Sequence, residues 1–259
     1  MILDLHVHTT NYSRCSRMTG EEMATRAIEI GLDGVVITEH NAFWTDEEIT
    51  DLRRKYPALT ILRGIEVTAA EGADVLIYGL TRMHELEKDM PAERILEIAH
   101  RRGAFTVWAH PMRKTLTPDP SLLTLPFDGL ECQSMNIDPL EQDLHLKTAQ
   151  QMRAAPFFNS DSHATMTLGV CVAEFDAPIK DEQELAESLR AGRSRPFIQS
   201  HHFEPAWQQK TETMSERIRK AIASGITDPA DLRRRVGILA MSRIEQLLMA
   251  HGLAANGLV

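Results

Sequence analysis

The stretch Asp4-Leu5-His6-Val7-His8-Thr9, close to the start of the chain, decides the fold and the kind of site that we predict. The apolar residues at positions 2, 3, 5 and 7 predict a buried first strand. Residues two apart on a strand point to the same face, so His6 and His8 are directed toward one point at the end of that strand. Imidazole is a common metal ligand, and the pair therefore predicts the start of a metal site on a β scaffold.

Four more apolar runs in the chain end in residues that can bind metal. Each run has the length of a short strand, and the ligand-type residue follows where the strand would give way to a loop. One such coincidence carries little weight, whereas five in one chain favour a shared site. The runs are 35–38 followed by Glu39-His40-Asn41, 60–65 followed by Glu66, 104–109 followed by His110-Pro111, and 156–160 followed by Asp161-Ser162-His163.

Length and charge limit the classes of protein that this chain can represent. Its 259 residues suffice for a full α/β barrel as one domain. The formal net charge is −9, which disfavours a general nucleic-acid binder. Residues 201–259 contain 8 Lys and Arg against 6 Asp and Glu, a net charge of +2, so residues 1–200 hold −11.

The cysteines and the first residues bear on the compartment. Cys15, Cys132 and Cys171 are widely separated and form no Cys-x-x-Cys pair. The pattern predicts neither a zinc knuckle nor a disulfide framework, and we expect a reducing, cytoplasmic setting. Asp4 interrupts the apolar start, so we expect no secretory signal. No run approaches the ~20 apolar residues that a membrane span needs.

The order of the predicted elements favours an α/β fold. Strand-like runs alternate with amphipathic segments, one opened by a capping box of Thr19 and Glu22 and one opened by Pro91. Such alternation is typical of a mainly parallel sheet, either open or closed into a barrel. The ligand-type residues fall at the carboxyl ends of the strands, where α/β barrels carry active sites. An open doubly wound sheet is the alternative, and the lack of a Gly-rich loop after the first strand disfavours it.

The last part of the chain has a different sequence pattern. No strand pattern follows about residue 199, and helical patterns fill 212–224 and 230–251. We therefore predict a barrel over residues 1–200 and a helical C-terminal extension over residues 201–259.

Together the motifs resemble the PHP (polymerase and histidinol phosphatase) superfamily. They occur in the family's order over about residues 1–200. The resemblance implies a distorted (β/α)7-type barrel with two or three metal ions at its strand ends, and metal-dependent hydrolysis of a phosphoester. The motifs are His6-x-His8, Thr38-Glu39-His40-Asn41, Gly64-Ile65-Glu66, Ala109-His110-Pro111 and Asp161-Ser162-His163.

The resemblance also implies a ligand set for two ions. His6, His8, Glu66 and Asp161 would hold the first metal. Glu66 would bridge to a second metal, which His110 would also bind. Glu66 suits this role because its carboxylate has one oxygen for each ion.

A third metal has a weaker basis. The resemblance implies that His40 and His163 would hold it, or would contact the phosphate in its absence. Many members place an acidic residue or a histidine shortly after the first motif, where this chain has Arg14, which stays protonated and cannot bind a cation. Many also carry a histidine about ten residues beyond the bridging Glu, where the nearest candidate here is Asp74. We therefore expect one or two tightly held ions and at most a weak third one.

The donor types agree with phosphoester hydrolysis. Mixed histidine and carboxylate ligands suit Mn, Fe or Zn, and two such ions neutralise an anionic substrate and activate a bridging hydroxide for attack. We expect Glu66 to be catalytic as the bridge, and His163 or His40 to protonate the leaving oxygen. The cationic residues expected to hold the phosphate are Arg14, Arg113 and Lys114.

Other polar residues have simpler structural explanations. We expect Asp4 to satisfy backbone donors. We expect Glu39 to orient a neighbour or to hydrogen-bond to a metal ligand rather than to bind metal. Glu131 ends a strand, and we expect it to be structural, with a hydrogen bond to a metal ligand as the less favoured alternative. Cys15 has no evident base as a partner, so we do not expect a nucleophile there. Structural roles are also expected for the turn residues Asn41 and Asn136, for His201-His202, where a late ligand is the less favoured alternative, and for the solvated helix face Arg233–Arg235.

Two other functions stay open beside a phosphoesterase with a small phosphorylated substrate. An exonuclease acting on nucleic-acid ends would need a basic groove, which the −11 charge of residues 1–200 disfavours. A regulatory protein that senses a ligand through the barrel would use the tail, because residues 226–232 and 242–248 loosely resemble a helix-turn-helix. A docking or dimerisation helix pair is the simpler explanation of the tail. The individual phosphoester and the oligomeric state stay open.

Overall fold

The computed structural model describes residues 1–113, 117 and 119–253. These residues form nine strands and eight α-helices. The strands are β1 Ile2–Val7, β2 Gly34–Ile37, β3 Thr60–Thr68, β4 Asp74–Tyr78, β5 Phe105–Ala109, β6 Gly129–Gln133, β7 Ala155–Phe158, β8 Cys171–Phe175 and β9 Ser194–Ile198. The helices are α1 Gly20–Glu29, α2 Asp46–Lys55, α3 Ala92–Arg101, α4 Gln142–Met152, α5 Glu182–Arg190, α6 Ser200–Ala223, α7 Pro229–Val236 and α8 Met241–Ala250.

The nine described strands form one sheet in the order β7-β6-β5-β4-β3-β2-β1-β8-β9. The two ends of the sheet approach each other, since β7 contacts both β8 and β9. The sheet therefore curls into a nearly closed barrel, which confirms the predicted α/β barrel. It contains more strands than the seven that the sequence suggested. The additional β8 and β9 are short, and β9 carries Pro196, which suits the edge position that it occupies.

The sheet is mixed, which corrects the expectation of a mainly parallel one. β1, β2 and β3 are parallel, as are β5, β6 and β7. β4 runs antiparallel to both of its neighbours, and β8 runs antiparallel to β1 and β9. Only the short segment 69–73 joins β3 to β4, and a connection of this length permits an antiparallel hairpin but no parallel crossover.

The reversal of β4 decides which residues meet at the rim. The six other strands from β1 to β7 end at one edge of the barrel, and β4 begins there with Asp74. Asp74 pairs in register with Thr68 on β3 and with Ala109 on β5. The reversed strand thus places a carboxylate beside the ends of two strands that carry predicted ligands.

The pairing of β1 is irregular beside the first two histidines. The pairing of β1 with β2 shifts register between Asp4 and Val7. Leu3 and Leu5 pack in an apolar cluster to which seven strands and α5 contribute, whereas Val7 packs with the residues of α1 and α2 in another cluster. Bulges commonly redirect side chains next to active sites.

Local signals define the first helices. Thr19 and Glu22 form the predicted capping box at the start of α1, and Thr45 and Glu48 form a second one at the start of α2. Gly31, at φ +76°, turns the chain after α1, as the sequence predicts.

Three helices follow the barrel. α6 begins well before the predicted residue 212 and packs on the rim through Phe203, Ala206 and Trp207. Gly237, at φ +80°, ends α7 and so divides the predicted segment 230–251 into two helices. The second half of α6 packs against α7 and α8 around a separate apolar cluster.

Within the described ranges, no helix is both long enough and apolar enough to span a bilayer. Cys15, Cys132 and Cys171 are unpaired. The cytoplasmic location stays a prediction.

Candidate metal centre

Five predicted ligands from four strand ends converge at the rim. They are His6, His8, Glu66, His110 and Asp161, and each is at most 6% exposed. Burying charged groups together is costly unless they are paired or coordinate a metal. The fold therefore concentrates ionisable groups where a cation would stabilise them.

His6 and His8 direct their Nε2 atoms into the same small volume, 3.0 Å apart. Asp161 Oδ1 lies 3.4 Å from Nε2 of His6 and 3.3 Å from Nε2 of His8. Glu66 Oε2 lies 3.6 Å and 3.3 Å from the same two nitrogens. Four donors at about 2.1 Å from a tetrahedral ion would be about 3.4 Å apart. The spacing of this donor set therefore fits a transition-metal ion.

Two carboxylate oxygens in this set have unsatisfied bonding capacity. Glu66 Oε2 and Asp161 Oδ1 are buried and have no hydrogen bond of ordinary geometry, although His40 Nδ1 lies 2.7 Å from the first of them. Buried polar atoms are rarely left without a partner, so each such atom calls for an explanation. A cation held between them and the two imidazoles would satisfy both oxygens.

A second donor set lies on the other side of Glu66. Its Oε1 atom is 3.1 Å from Nε2 of His110. The same nitrogen lies 3.8 Å from Asp161 Oδ2 and 4.0 Å from Asp74 Oδ2. The other oxygen of Asp74 accepts a hydrogen bond of 2.7 Å from the Thr68 hydroxyl. Asp74 thus adds a carboxylate to this second set, and Glu66 offers one oxygen to each set.

The remaining predicted ligands, His40 and His163, flank His8. Each imidazole centroid lies 4.3 Å from that of His8. His40 Nδ1 is 2.7 Å from Glu66 Oε2, and His163 Nδ1 is 3.5 Å from Asp161 Oδ1. Their side chains are 34% and 27% exposed, so these two imidazoles face the space from which a substrate would approach.

The expectation that Cys15 lacks a partner base is wrong. Hydrogen bonds to the imidazoles of His163 and His40 lower the pKa of the Cys15 thiol to about 6. Nothing in the sequence indicates this contact, because the two histidines come from the loops after β2 and β7.

The pKa values of the carboxylates and of His8 suit cation binding, whereas that of His6 means that a proton competes with the ion. Burial raises the pKa of Glu66 and of Asp161, but the neighbouring imidazoles, His6 first, hold both well below the ordinary range. Burial lowers the pKa of His8 to about 3. At His6 the effect of burial is outweighed by the carboxylates of Asp161 and Glu66, which raise its pKa well above 6.5. The carboxylates are thus ionised and His8 is neutral at physiological pH.

Two of the predicted ligands have an unusual backbone conformation. His110 has φ +29° and Asp161 has φ +49°. Residues other than glycine rarely adopt positive φ, and such strain concentrates at functional sites. A hydrogen bond of 2.8 Å from the His110 backbone N–H to Glu131 Oε2 holds the first of these turns.

Glu131 and Ser13 orient the histidines from behind. Glu131 Oε1 lies 3.1 Å from Nδ1 of His6, and Ser13 Oγ lies 3.2 Å from Nδ1 of His8. Partners of this kind fix the ring so that Nε2 faces the metal position. Glu131 is therefore a positioning residue, which was the less favoured of the two roles expected for it. Its place on β6 suggested that role from the sequence, whereas nothing in the local sequence marks Ser13.

Three other expectations agree with the structure. Asp4 accepts backbone hydrogen bonds from Ser160 and Gly169 beneath the rim. Glu39 accepts hydrogen bonds from Thr9 and Trp44 and so orients its neighbours. Asn41 forms a turn at φ +55°.

A cavity of about 420 Å³ opens beside Asp161 and His163. Arg113 lines it as expected, and also lines a smaller cavity of about 300 Å³ that reaches Asp74 and His110. Arg14 is exposed and does not line either cavity, whereas Arg17 lines the larger one. Lys114 lies outside the described residues. His201 and His202 line a different cavity, away from the metal-ligand candidates.

Lys210 of α6 reaches the donor cluster through Asn136. The Lys210 ammonium donates hydrogen bonds to the Met135 carbonyl and, at 3.1 Å, to Asn136 Oδ1. The Asn136 amide in turn donates to Asp161 Oδ2. Burial lowers the pKa of Lys210 to about 8. Sequence reasoning gave Lys210 no role and took Asn136 for a turn residue, because no local pattern indicates that α6 packs over the rim.

Comparison with solved structures relates this fold to known proteins. PsfC from Pseudomonas syringae is 18% identical, with a TM-score of 0.59 over 78% of this chain and 93% of that chain. A two-domain protein from Bacteroides vulgatus, described as containing a predicted PHP-like metal-dependent phosphoesterase, is 16% identical, with a TM-score of 0.62 over 81% of this chain and 69% of that one. Endonuclease Q, solved with a 27-mer duplex that has an abasic lesion at the active site, is 19% identical, with a TM-score of 0.56 over 76% and 58%. At these identities the likeness establishes the fold alone.

Sequence comparison identifies the family. Curated protein sequences gave no significant match. The family model of the PHP domain matches residues 4–167, which is more than half of the chain. The matched segment contains every predicted metal ligand, from His6 to His163. The protein therefore belongs to the PHP domain family.

Proposed function

We propose that this protein is a metal-dependent phosphoesterase that hydrolyses a small phosphomonoester or phosphodiester. One observation carries the proposal. Two imidazole nitrogens lie 3.0 Å apart, each of them lies 3.3 to 3.6 Å from the same two carboxylate oxygens, and both oxygens are buried. The donors belong to His6, His8, Glu66 and Asp161.

Two ions would occupy the site, and we propose Mn, Fe or Zn. The first would be held by the four donors just named, and the second by Glu66, His110 and Asp74. Histidine mixed with carboxylate is the ligand chemistry of these metals. When bound, such ions neutralise an anionic phosphoester and lower the pKa of a coordinated water. His40 and His163 would hold a third, weaker ion or contact the phosphate directly.

The residues around the two donor sets would divide the work of the reaction. Glu66 holds both sets in a fixed relation, because its two oxygens face different sets. His163 lines the cavity, and although burial opposes it, contacts with Cys15 and Asp161 raise its pKa above 6.5. An imidazolium at this position can donate a proton to the leaving oxygen. His40, whose pKa rises to about 10 mainly through Cys15 and Glu66 despite burial, is the second candidate for this step.

Binding of the phosphate would fall to cations that line the cavity. Arg113 is positioned between the two cavities and can bind a phosphate through two parallel hydrogen bonds. Arg17 would take the role expected of Arg14, since it is Arg17 that lines the cavity. Lys210 adds a further ammonium close to Asp161.

A small substrate is favoured over a nucleic acid. Endonuclease Q shares the fold and was solved with duplex DNA. Here, however, α6 covers one side of the site, and the cavity of about 420 Å³ has the size of a small-molecule site. The charge of −11 over residues 1–200 also opposes a polyanion.

The regulatory alternative loses its support in the tail. A DNA-reading pair of helices would present its cations to solvent. Arg233 of α7, which was expected on a solvated helix face, is instead buried against Glu141, and Arg243 of α8 binds Asp138, whereas Arg234 stays exposed. These contacts favour a docking role for the helix pair.

Elemental analysis combined with an ester assay would test the proposal. We expect about two Mn, Fe or Zn per chain and hydrolysis of 4-nitrophenyl phosphate or its bis ester after loading with Mn. His8→Ala should lose both metal and activity, whereas His201→Ala, at an exposed position on α6, should retain both. Protein that binds no metal and is inert after reconstitution would refute the proposal. Faster cleavage of single-stranded DNA than of either ester would replace the small substrate by a nucleic acid.

A further inference from the structure

α6 forms one wall of the cavity that opens beside Asp161 and His163. The lining residues recur every three or four positions, so one face of the helix covers the cavity for about three turns. The helix belongs to the predicted C-terminal extension, which lies beyond the matched PHP segment 4–167. The α6 residues that line the cavity are Ala206, Gln209, Lys210, Thr213, Met214 and Arg217.

The cavity is strongly cationic in an otherwise acidic chain. Its lining includes four permanent or nearly permanent cations, Arg17, Arg113, Lys210 and Arg217, and a single carboxylate, Asp161. That carboxylate belongs to the donor cluster. In the ranges 1–113, 117 and 119–253, none of the four cations has a carboxylate within 4.0 Å. Unpaired cations that converge on one cavity indicate an anionic ligand.

The four cations lie at different depths. Lys210 and Arg113 are partly buried, and Lys210 is linked to Asp161 through Asn136. Arg17 and Arg217 are exposed at the mouth. Arg217 follows Lys210 by seven residues, which is about 10 Å along the helix. The row therefore offers cations at two positions, one beside the donor cluster and one at the mouth.

The wall of the cavity is partly apolar. Met135, Met214, Val236 and Ile238 contribute to its lining. An organic group of the size of an aromatic ring would fit such a surface, since small-ligand sites combine apolar walls with a few placed polar groups.

We propose that α6 selects the substrate: a compact phosphoester whose partly apolar body carries a second anionic group, bound by Arg217 at the mouth while Lys210 and Arg113 face the scissile phosphate. The inference rests on the proposed phosphoesterase function and names its substrate class. Arg217 and Lys210 are the residues of the extension that would confer this preference.

A matched pair of substrates would test the second anion. The metal-loaded enzyme is given 3-(4-phosphonooxyphenyl)propanoate and the corresponding propanamide, which differ in one negative charge at the far end. We expect kcat/KM to be at least about tenfold higher for the carboxylate, the size of one charge-assisted contact. Arg217→Met should bring the ratio close to one, chiefly by lowering kcat/KM for the carboxylate. Arg219→Met, two residues further on the same helix and outside the cavity, should keep the wild-type ratio.

The outcomes separate this inference from the proposed function. Hydrolysis of both esters at equal kcat/KM, or a preference that survives Arg217→Met, would overturn the second-anion site and leave the phosphoesterase standing. Isothermal titration with the non-hydrolysable phosphonate analogues of the same pair measures the preference without turnover. If no ester is cleaved, the proposed function fails, and the titration still decides whether Arg217 binds the second anion.

Discussion

Arg233 connects the C-terminal helices to the barrel through a buried ion pair, and its removal should destabilise the protein strongly. Its guanidinium donates to both oxygens of Glu141, one of them at 2.8 Å, and to the carbonyls of Leu239 and Met112. The side chains of Arg233 and Glu141 are 3% and 10% exposed. Arg233→Met keeps most of the volume and leaves the Glu141 carboxylate buried without its partner.

The expected loss follows from this burial. Removing one partner of a buried ion pair costs about 3–5 kcal/mol of unfolding free energy. For a chain of this size, each kcal/mol corresponds to about 2–4 °C in Tm, so Tm should fall by roughly 6–20 °C. Neither residue belongs to a donor set, so the loss should be similar with and without added metal.

The neighbouring Arg234 provides the matched control. It pairs with Asp231 one turn earlier on the same helix, with 60% and 51% of the two side chains exposed. Exposed pairs contribute little, and Arg234→Met should change stability by no more than about 0.5 kcal/mol. The double variant Glu141→Leu with Arg233→Met should recover part of the loss, because it removes both buried charges. Thermal and urea unfolding measure all three, and an Arg233→Met protein as stable as Arg234→Met would refute the reasoning.

Three further predictions concern the metal centre. Glu66→Gln should reduce the affinity for both ions at least about tenfold, whereas Asp74→Asn should weaken the binding of only one ion. Elemental analysis measures the metal content of each variant. Equal metal contents in the two variants would contradict the bridging role of Glu66. Addition of the native ion at about 1,000 times its Kd should stabilise the protein by about 4 kcal/mol, and a Tm that EDTA leaves unchanged would count against a preformed site. Affinity for the ion should rise with pH, because the raised pKa values of His6 and His110 mean that protons compete with the ion at neutral pH. Calorimetry between pH 6 and 8 should detect proton release, and pH-independent binding would oppose the assigned ligands.

The predicted ligands were accessible from the sequence because each one depends on a short local pattern. His6 and His8 share a face since they lie two apart on a strand, and Glu66 and His110 each follow an apolar run. Parallel strands bring their carboxyl ends to one edge of the sheet. Ligand-type residues at the ends of several such strands therefore predict one shared site. The same rule suggested a contact between Glu131 and a metal ligand, although a structural role was preferred there.

The place of Asp74 in the second donor set could be predicted only if the direction of β4 were known. Asp74 lies eight residues after Glu66, and by spacing alone it has no fixed relation to His110. Only the antiparallel reversal of β4 brings its first residue beside Ala109, one position before His110. The spacing along the sequence suggested Asp74 as the candidate. The hairpin of β3 and β4 explains why its carboxylate, on a side chain shorter than that of histidine, still reaches the second donor set.

The role of the extension depends on which barrel residues face it, and this is tertiary information. The sequence records an acidic region of −11 and a tail of +2, and this asymmetry alone does not separate a nucleic-acid-binding tail from a docked one. In the fold, the cations of the tail divide into two groups. Arg233 and Arg243 neutralise barrel carboxylates and so attach the helices, while Lys210 and Arg217 stay without carboxylate partners in the described structure and face the cavity. Attachment positions the unpaired cations over the donor cluster. The same basic composition therefore serves both to dock the helices and to make the cavity selective for anions.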